Sequence, residues 1–215
     1  MKFEHTQVFG FEAALRGMRN PYDSWMNSDT LVDPKDNRTI EHVVIGPKDL
    51  KLAQDLITGG DPHFKFLRQI QVWADITAPL YWWTEADTYK VGTTRDSCST
   101  MHMLGKKPLD QSMFEDRYLD AVELTRLIAE LNSIQEEYTH CKENKDNNGM
   151  QTCHKKMKAL LPSSYLLKST WSGNYAVLRN MYHWRKDHRL SEWNEDFVTW
   201  IKSLPYSEEL IIYKN

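Results

Sequence analysis

Apolar residues change their period several times along this chain. From Ile70 on, Val72, Ala74, Ile76 and Ala78 alternate with polar Gln71, Asp75 and Thr77. Successive side chains leave a strand on opposite faces, so this alternation predicts a half-buried strand from Ile70 to Ala78. Upstream, Leu50, Ala53 and Ile57 recur at helical spacing, in a helix that Pro47 begins and Gly59-Gly60 stop. Phe11 to Arg19 reads as a shorter helix ended by Asn20-Pro21, and polar Ser24 to Thr39 as a loop. Pro79 suits the first turn of a helix running to Tyr89. Hydroxyl-rich Gly92 to His102 reads as another loop. Phe114 to Tyr138 is expected to be the longest helix, with Leu119, Val122, Leu127, Leu131, Ile134 and Tyr138 on its apolar face. The polar stretch Cys141 to Gln151 separates it from a basic helix, Cys153 to Leu161, closed by Pro162. Tyr165 to Trp171 reads as a second strand. Asn174 to Lys186 and Leu190 to Ser203 read as two more helices.

This order lacks a regular strand–helix–strand rhythm, so an α+β fold is expected rather than a doubly wound sheet. No repeat, low-complexity tract or linker divides the 215 residues, which are expected to form one domain, 1–215.

A hydrophobic share of 40% and a charged share of 27% are ordinary for a globular chain. The net charge of -3 gives no bulk attraction to nucleic acid or an anionic membrane, so any phosphate must meet a local basic site. No apolar run approaches the roughly 18 residues that span a bilayer. Three cysteines make no disulfide framework, and a reducing, cytoplasmic setting is expected. Eight tryptophans point to a thick core, an oligomer interface or a stacking site.

Four constellations are candidates for chemistry, each beside a plainer reading. Lys155, Lys156 and Lys158 before Leu161-Pro162 could hold a phosphate, or form a solvated helix face. Eleven residues at about 100° each return a helix to within roughly 20° of its start, which puts Asn174 and Arg185 on one face. Leu178 and Met181 lie between them, so Arg185 could hold a buried anion or simply snorkel. Tyr81, Trp82 and Trp83 could stack on a ring, or be core or interface. His140-Cys141 with Cys153-His154 has poor spacing for zinc, and no metal is expected.

Several of these signals stand in a telling order. Leu15 to Tyr22 is an Arg-rich early helix, Ile57-Thr58-Gly59-Gly60 leads to His63, and the strand ends in Ala78-Pro79. Further on come Lys158, Leu161-Pro162, Lys168, Trp171, Asn174, Leu178, Asn180 and Arg185. Taken together, from Phe11 to Trp193, they resemble the flavin-dependent thymidylate synthases. The family's Arg-His-Arg signature falls on Thr88-Tyr89-Lys90. Its later part falls on Gly92 to Met101, where only Thr93, Asp96 and one of Ser97, Cys98 or Ser99 correspond. The final Arg-Tyr falls on Thr100-Met101 or Met101-His102. The Arg expected two residues after Asn174 is Ala176.

The resemblance implies a central, mostly antiparallel sheet flanked by helices, one of them long, like that of thymidylate synthase-complementing proteins. It implies conversion of dUMP to dTMP by a flavin-dependent methyltransferase. FAD would be the flavin, with NADPH and methylenetetrahydrofolate as co-substrates. Arg185 would be catalytic and meet the uracil ring, and Lys158, Ser97 and Ser99 would meet the phosphate. His63, Lys90, Asn174 and Asn180 would hold the flavin. Family sites form between subunits, so a homotetramer is implied, burying some of Trp25, Trp73, Trp82 and Trp83. The alternative is a non-catalytic descendant that binds a nucleotide or another anionic small molecule.

Overall fold

A computed structural model describes residues 1–33 and 40–214, with the side chains of Met101 and His102 outside the described set. The elements are β1 (Lys2–Phe9), α1 (Phe11–Met18), β2 (Leu31–Val32), β3 (Val43–Val44), α2 (Pro47–Thr58), β4 (Gln71–Pro79), α3 (Leu80–Ala86), β5 (Thr94–Ser97), α4 (Thr100–Met103), α5 (Ala121–Glu143), α6 (Asn147–Leu160), β6 (Leu166–Asn174), α7 (Tyr175–Arg185) and α8 (Val198–Lys202). The fold is α+β, with an antiparallel four-stranded sheet in the order β1-β4-β6-β5 and helices about it. A small ribbon pairs β2 with β3. Among the described residues no helix is long and apolar enough to cross a membrane.

The chain divides into two compact units. One holds Met1, Thr77–Ala86 and Asp96–Ser169; the other holds Lys2–Ile76, Asp87–Arg95 and Thr170–Asn215. Strands β4, β5 and β6 each pass from one unit into the other.

In the first unit α5 and α6 close on a core of Leu104, Leu109, Phe114, Leu124, Leu131 and Met157. Helix α5 begins seven residues later than the sequence pattern indicates. Phe114 instead forms an extended bridge with Tyr165, and the Glu115 N–H donates to the Ser164 carbonyl at 2.8 Å. Asp120 then caps the helix by accepting from the Val122 N–H at 2.7 Å. The late start changes the buried face. Leu124, Leu131 and Gln135 point inward, whereas Val122 is 76% exposed and Leu119 is exposed too. The expected polar excursion is mostly helix, because α5 runs on to Glu143 and Asp146 caps α6 through the Gly149 N–H. Trp82 and Trp83 are core side chains. Both are buried, and the Trp83 indole N–H donates to the Leu167 carbonyl at 3.0 Å. Neither has surface left for a ligand or an interface, which corrects the expectation for these two residues.

In the second unit α1, α2 and α7 bury Phe11, Leu15, Ala53, Ile57, Tyr175 and Leu178. Strand β1 escapes the alternation rule because His5 adopts a positive φ of 51°. The inward positions are therefore Phe3, Thr6 and Val8 rather than a strict period of two. Strand β5 reads as a loop in sequence because it is a short polar strand at the end of the sheet order, with no apolar alternation to show.

The strongest polar feature of this unit is Asp49, which is fully buried. Its Oδ1 accepts from Arg19 Nε at 2.6 Å, and its Oδ2 accepts from the Ser28 and Thr30 hydroxyls, each at 2.6 Å. The Asp29 carboxylate answers by accepting from the Lys48 and Asp49 N–H groups, which start α2. Burial raises the Asp49 pKa, but hydrogen bonds from Ser28, Thr30 and Arg19, together with the Arg19 charge, hold it below the ordinary carboxylate value. A depressed folded-state pKa contributes stability above the unfolded value of about 3.9, and that stability is lost as pH falls through the folded value. Asp49→Asn should therefore cost about 3–5 kcal/mol near neutral pH by leaving Arg19 uncompensated. In urea titrations across pH, the gap between variant and wild type should narrow in acid. A constant gap from neutral to strongly acid pH would contradict this account.

Candidate functional site

Asn174 ends β6 with extended φ and ψ of -138° and 168°, and α7 begins at the next residue. Its side-chain Oδ1 accepts from the Val177 N–H at 3.1 Å, so the asparagine caps the helix. This departs from the helical-face reading in one respect. Asn174 is outside the helix, and its neighbours in the site are Ala176, Val177 and Asn180 rather than Leu178 and Met181, which are buried in the core.

Two adjoining hollows lie along α7 in the second unit. The first, of about 460 Å³, is lined by Asp61, Phe64, Arg68, Val91, Gly92, Asn174, Ala176, Val177 and Asn180. The second, of about 470 Å³, is lined by Thr88, Tyr89, Asn180, Trp184 and Arg185. Asn180 faces both. Its side-chain amide makes no hydrogen bond to another described residue, so donor and acceptor are both available. Gly92 has a φ of 78°, and a Cβ there would come within 2.8 Å of Asn174 Nδ2. Glycine is thus required both by the backbone conformation and by the approach to the amide.

Arg185 is held in place. Its Nε donates to the Tyr89 hydroxyl at 2.9 Å, and its guanidinium lies 5.5 Å from the Tyr89 ring and 4.9 Å from the Trp193 ring. A guanidinium stacked on two aromatic rings keeps its charge and loses its mobility. Arg68 at the first hollow pairs with Asp61 at 3.0 Å.

The remaining expected site residues have these places. Lys90 is exposed between Tyr89 and Val91, each of which lines one of the hollows. His63 is exposed at the start of a tight helical turn, with its ring against Gly59. In the first unit Ser97 ends β5 and is exposed, and Lys158 is exposed in the last turn of α6. Ser99 lines a separate hollow of about 210 Å³ that also takes in Cys98, Met103, Lys107, Tyr165 and Lys168. The structure thus gathers Asn174, Asn180 and Arg185 along α7. It adds Arg68, Tyr89, Gly92 and Trp184, which sequence reasoning did not place there. The usable signals were a glycine after an apolar–aromatic stretch and a tryptophan beside the arginine. Among the described residues no three His, Cys, Asp or Glu side chains gather as a metal site.

Gly92→Ala should cost about 1–2 kcal/mol, the price of an L residue in left-handed conformation. Its melting temperature should fall, whereas an alanine at the neighbouring exposed Val91 should leave it near wild type. Equal melting of Gly92→Ala and wild type would show that the turn relaxes freely.

No protein-family model matches the sequence, and no curated protein does. Solved structures do. A crystal structure of the flavin-dependent thymidylate synthase ThyX from Helicobacter pylori complexed with FAD and dUMP superposes with a TM-score of 0.69 at 16% identity, covering 98% of each chain. A second structure of ThyX from Helicobacter pylori with FAD and dUMP gives the same score and identity, covering 98% of this chain and 97% of that one. Across nearly its whole length, this chain has the fold of those flavin-dependent thymidylate synthases.

Proposed function

We propose that this chain binds a flavin and a pyrimidine nucleotide and converts dUMP to dTMP. The observation that carries the reading is the pair of hollows meeting at Asn180, on a fold whose solved examples hold FAD and dUMP. The donor set fits such ligands. The Asn180 amide offers a donor and an acceptor, the pair that an imide edge needs, and Arg185 offers fixed positive charge beside it.

In this reading His63, Lys90, Asn174 and Asn180 hold FAD, and Ser97, Ser99 and Lys158 meet the nucleotide phosphate. Bound flavin supplies the hydride, methylenetetrahydrofolate the carbon, and NADPH the reducing equivalents. Arg185 is the catalytic residue of the chain. It orients the uracil ring and stabilises negative charge on its carbonyl oxygen, without a proton leaving the guanidinium. The Asn174 Oδ1 is committed to the helix cap, so its Nδ2 is the group turned to ligand. A homotetramer accords with the exposed aromatic surface at Trp25, 49% exposed, and Trp73, 37% exposed.

A second reading, a non-catalytic descendant that binds a nucleotide or another anionic small molecule, has its own support. Ala176 stands in the lining of the first hollow where the family has Arg, and the Tyr89 hydroxyl takes the Arg185 Nε.

Purified protein should be yellow with oxidised flavin, and calorimetry should record dUMP binding. Arg185→Ala should weaken that binding by roughly 1.5–3 kcal/mol, the scale of a hydrogen bond to a charged group. Its melting temperature should fall as well, because the Tyr89 hydrogen bond and both ring contacts are lost, so binding is compared where the variant is fully folded. Turnover of dUMP to dTMP, followed with all co-substrates present, separates the readings. Binding without turnover favours the second, and a colourless protein that binds no pyrimidine nucleotide sinks both. Light scattering at micromolar concentration should give a tetramer, and a monomer there would refute that part.

A further inference from the structure

Trp184 is 75% exposed, a large apolar area for a single side chain to leave in water. An isolated exposed aromatic residue calls for no explanation, but this one lines the second hollow together with Asn180, Tyr89 and Arg185. It lies four residues after Asn180 on α7, one helical turn away on the same side. Beside the indole are an amide with no partner among the described residues and a guanidinium fixed by the Tyr89 hydroxyl. A planar face, an amide edge and a fixed cation together form the recognition set for a flat ring carrying carbonyl and imide N–H groups.

We propose that Trp184 is the stacking wall of this site, taking the flat face of an imide-bearing ring whose edge meets Asn180 and Arg185. This rests on the ligand-binding reading above and adds a residue and a ring-recognition role to it. Two sources share the chemistry, the uracil of a pyrimidine nucleotide and the pyrimidine edge of a flavin. Aromatic stacking tolerates either ring, because the indole face reads planarity, and the hydrogen-bonding edge selects the imide. Trp184 is a ring-binding residue here: it supplies affinity for a flat ring and moves no proton.

The test titrates three probes into wild type, Trp184→Leu and Trp184→Phe by calorimetry. They are dUMP, riboflavin 5′-phosphate and 2-deoxyribose 5-phosphate, which has no ring base. Melting temperatures are measured alongside and should agree, since an indole so exposed carries little packing. Trp184→Leu should weaken at least one ring-bearing probe by about five- to a hundredfold, the usual span for loss of a base–aromatic stack. Trp184→Phe should keep most of that affinity, and the sugar phosphate should bind all three proteins alike. Which ring-bearing probe responds identifies the source. If dUMP and riboflavin 5′-phosphate bind Trp184→Leu as tightly as wild type, the stacking wall is refuted while the ligand-binding reading stands. If the sugar phosphate weakens in step with them, the effect is structural and the proposal falls. If wild type binds neither ring, the proposal and the ligand-binding reading fall together.

Discussion

The hydrogen bond from the Val177 N–H to Asn174 Oδ1 fixes where the site is built. Asn174 is at once the last residue of β6 and the cap of α7, so no loop separates strand from helix. A helix that starts inside a strand's final residue takes its position from the sheet. At about 1.5 Å of rise per residue, Asn180, Trp184 and Arg185 then stand at set heights above that cap. Other positions of α7 are equally committed. Leu178 and Met181 are buried, the Tyr175 hydroxyl donates to the Pro205 carbonyl at 2.6 Å, and Arg179 Nη1 donates to the Ile211 and Tyr213 carbonyls at 2.9 and 2.6 Å. A helix anchored at these positions presents Asn180 and Trp184 with little freedom, which is what a site needs from its scaffold.

Arg185 carries the same logic to the level of a side chain. A lone surface arginine samples many rotamers, and ordering one on a ligand costs side-chain entropy. Here the rings of Tyr89 and Trp193 and the hydroxyl of Tyr89 have already restricted it. Tyr89 thus restricts Arg185, while Gly92, three residues further, lets the same segment approach Asn174. A single stretch from Thr88 to Gly92 thus supports both hollows.

Much of this was legible in the sequence where one rule acted alone. Strand β4 alternates because one of its faces is covered, and α2 runs from Pro47 to its glycine stop as composition indicates. Legibility failed where a local device overrode the period. His5 shifts the register of β1, the bridge from Phe114 to Tyr165 delays α5, and Asp146 joins two helices across a stretch that reads as a loop. For the site, spacing set Asn174 and Arg185 on one helix, whereas Asn174 ends β6 and only Arg185 belongs to α7; Asn180 came from the resemblance alone. The capping role of Asn174 depends on a backbone conformation that no spacing rule encodes. Tyr89 and Trp184 were illegible for another reason: aromatic residues are far more often core, and only exposure distinguishes the exceptions.

The charge of the first hollow sets what it can accept. Among the described residues Arg68 is the only cation in its lining, and that cation is paired with Asp61 in the same lining, so the two charges cancel there. Ala176 adds none. A phosphate transferred into such a place would give up water without gaining an uncommitted cation, which is unfavourable for a charged group. A neutral, polar ring edge gives up far less and can use the Asn174 and Asn180 amides directly. The second hollow, with Arg185 beside Trp184, suits a ring that gains negative charge during reaction or carries carbonyl oxygens at rest. On this account the first hollow selects a neutral polar edge, and the proposed phosphate contacts, Ser97, Ser99 and Lys158, belong to neither lining.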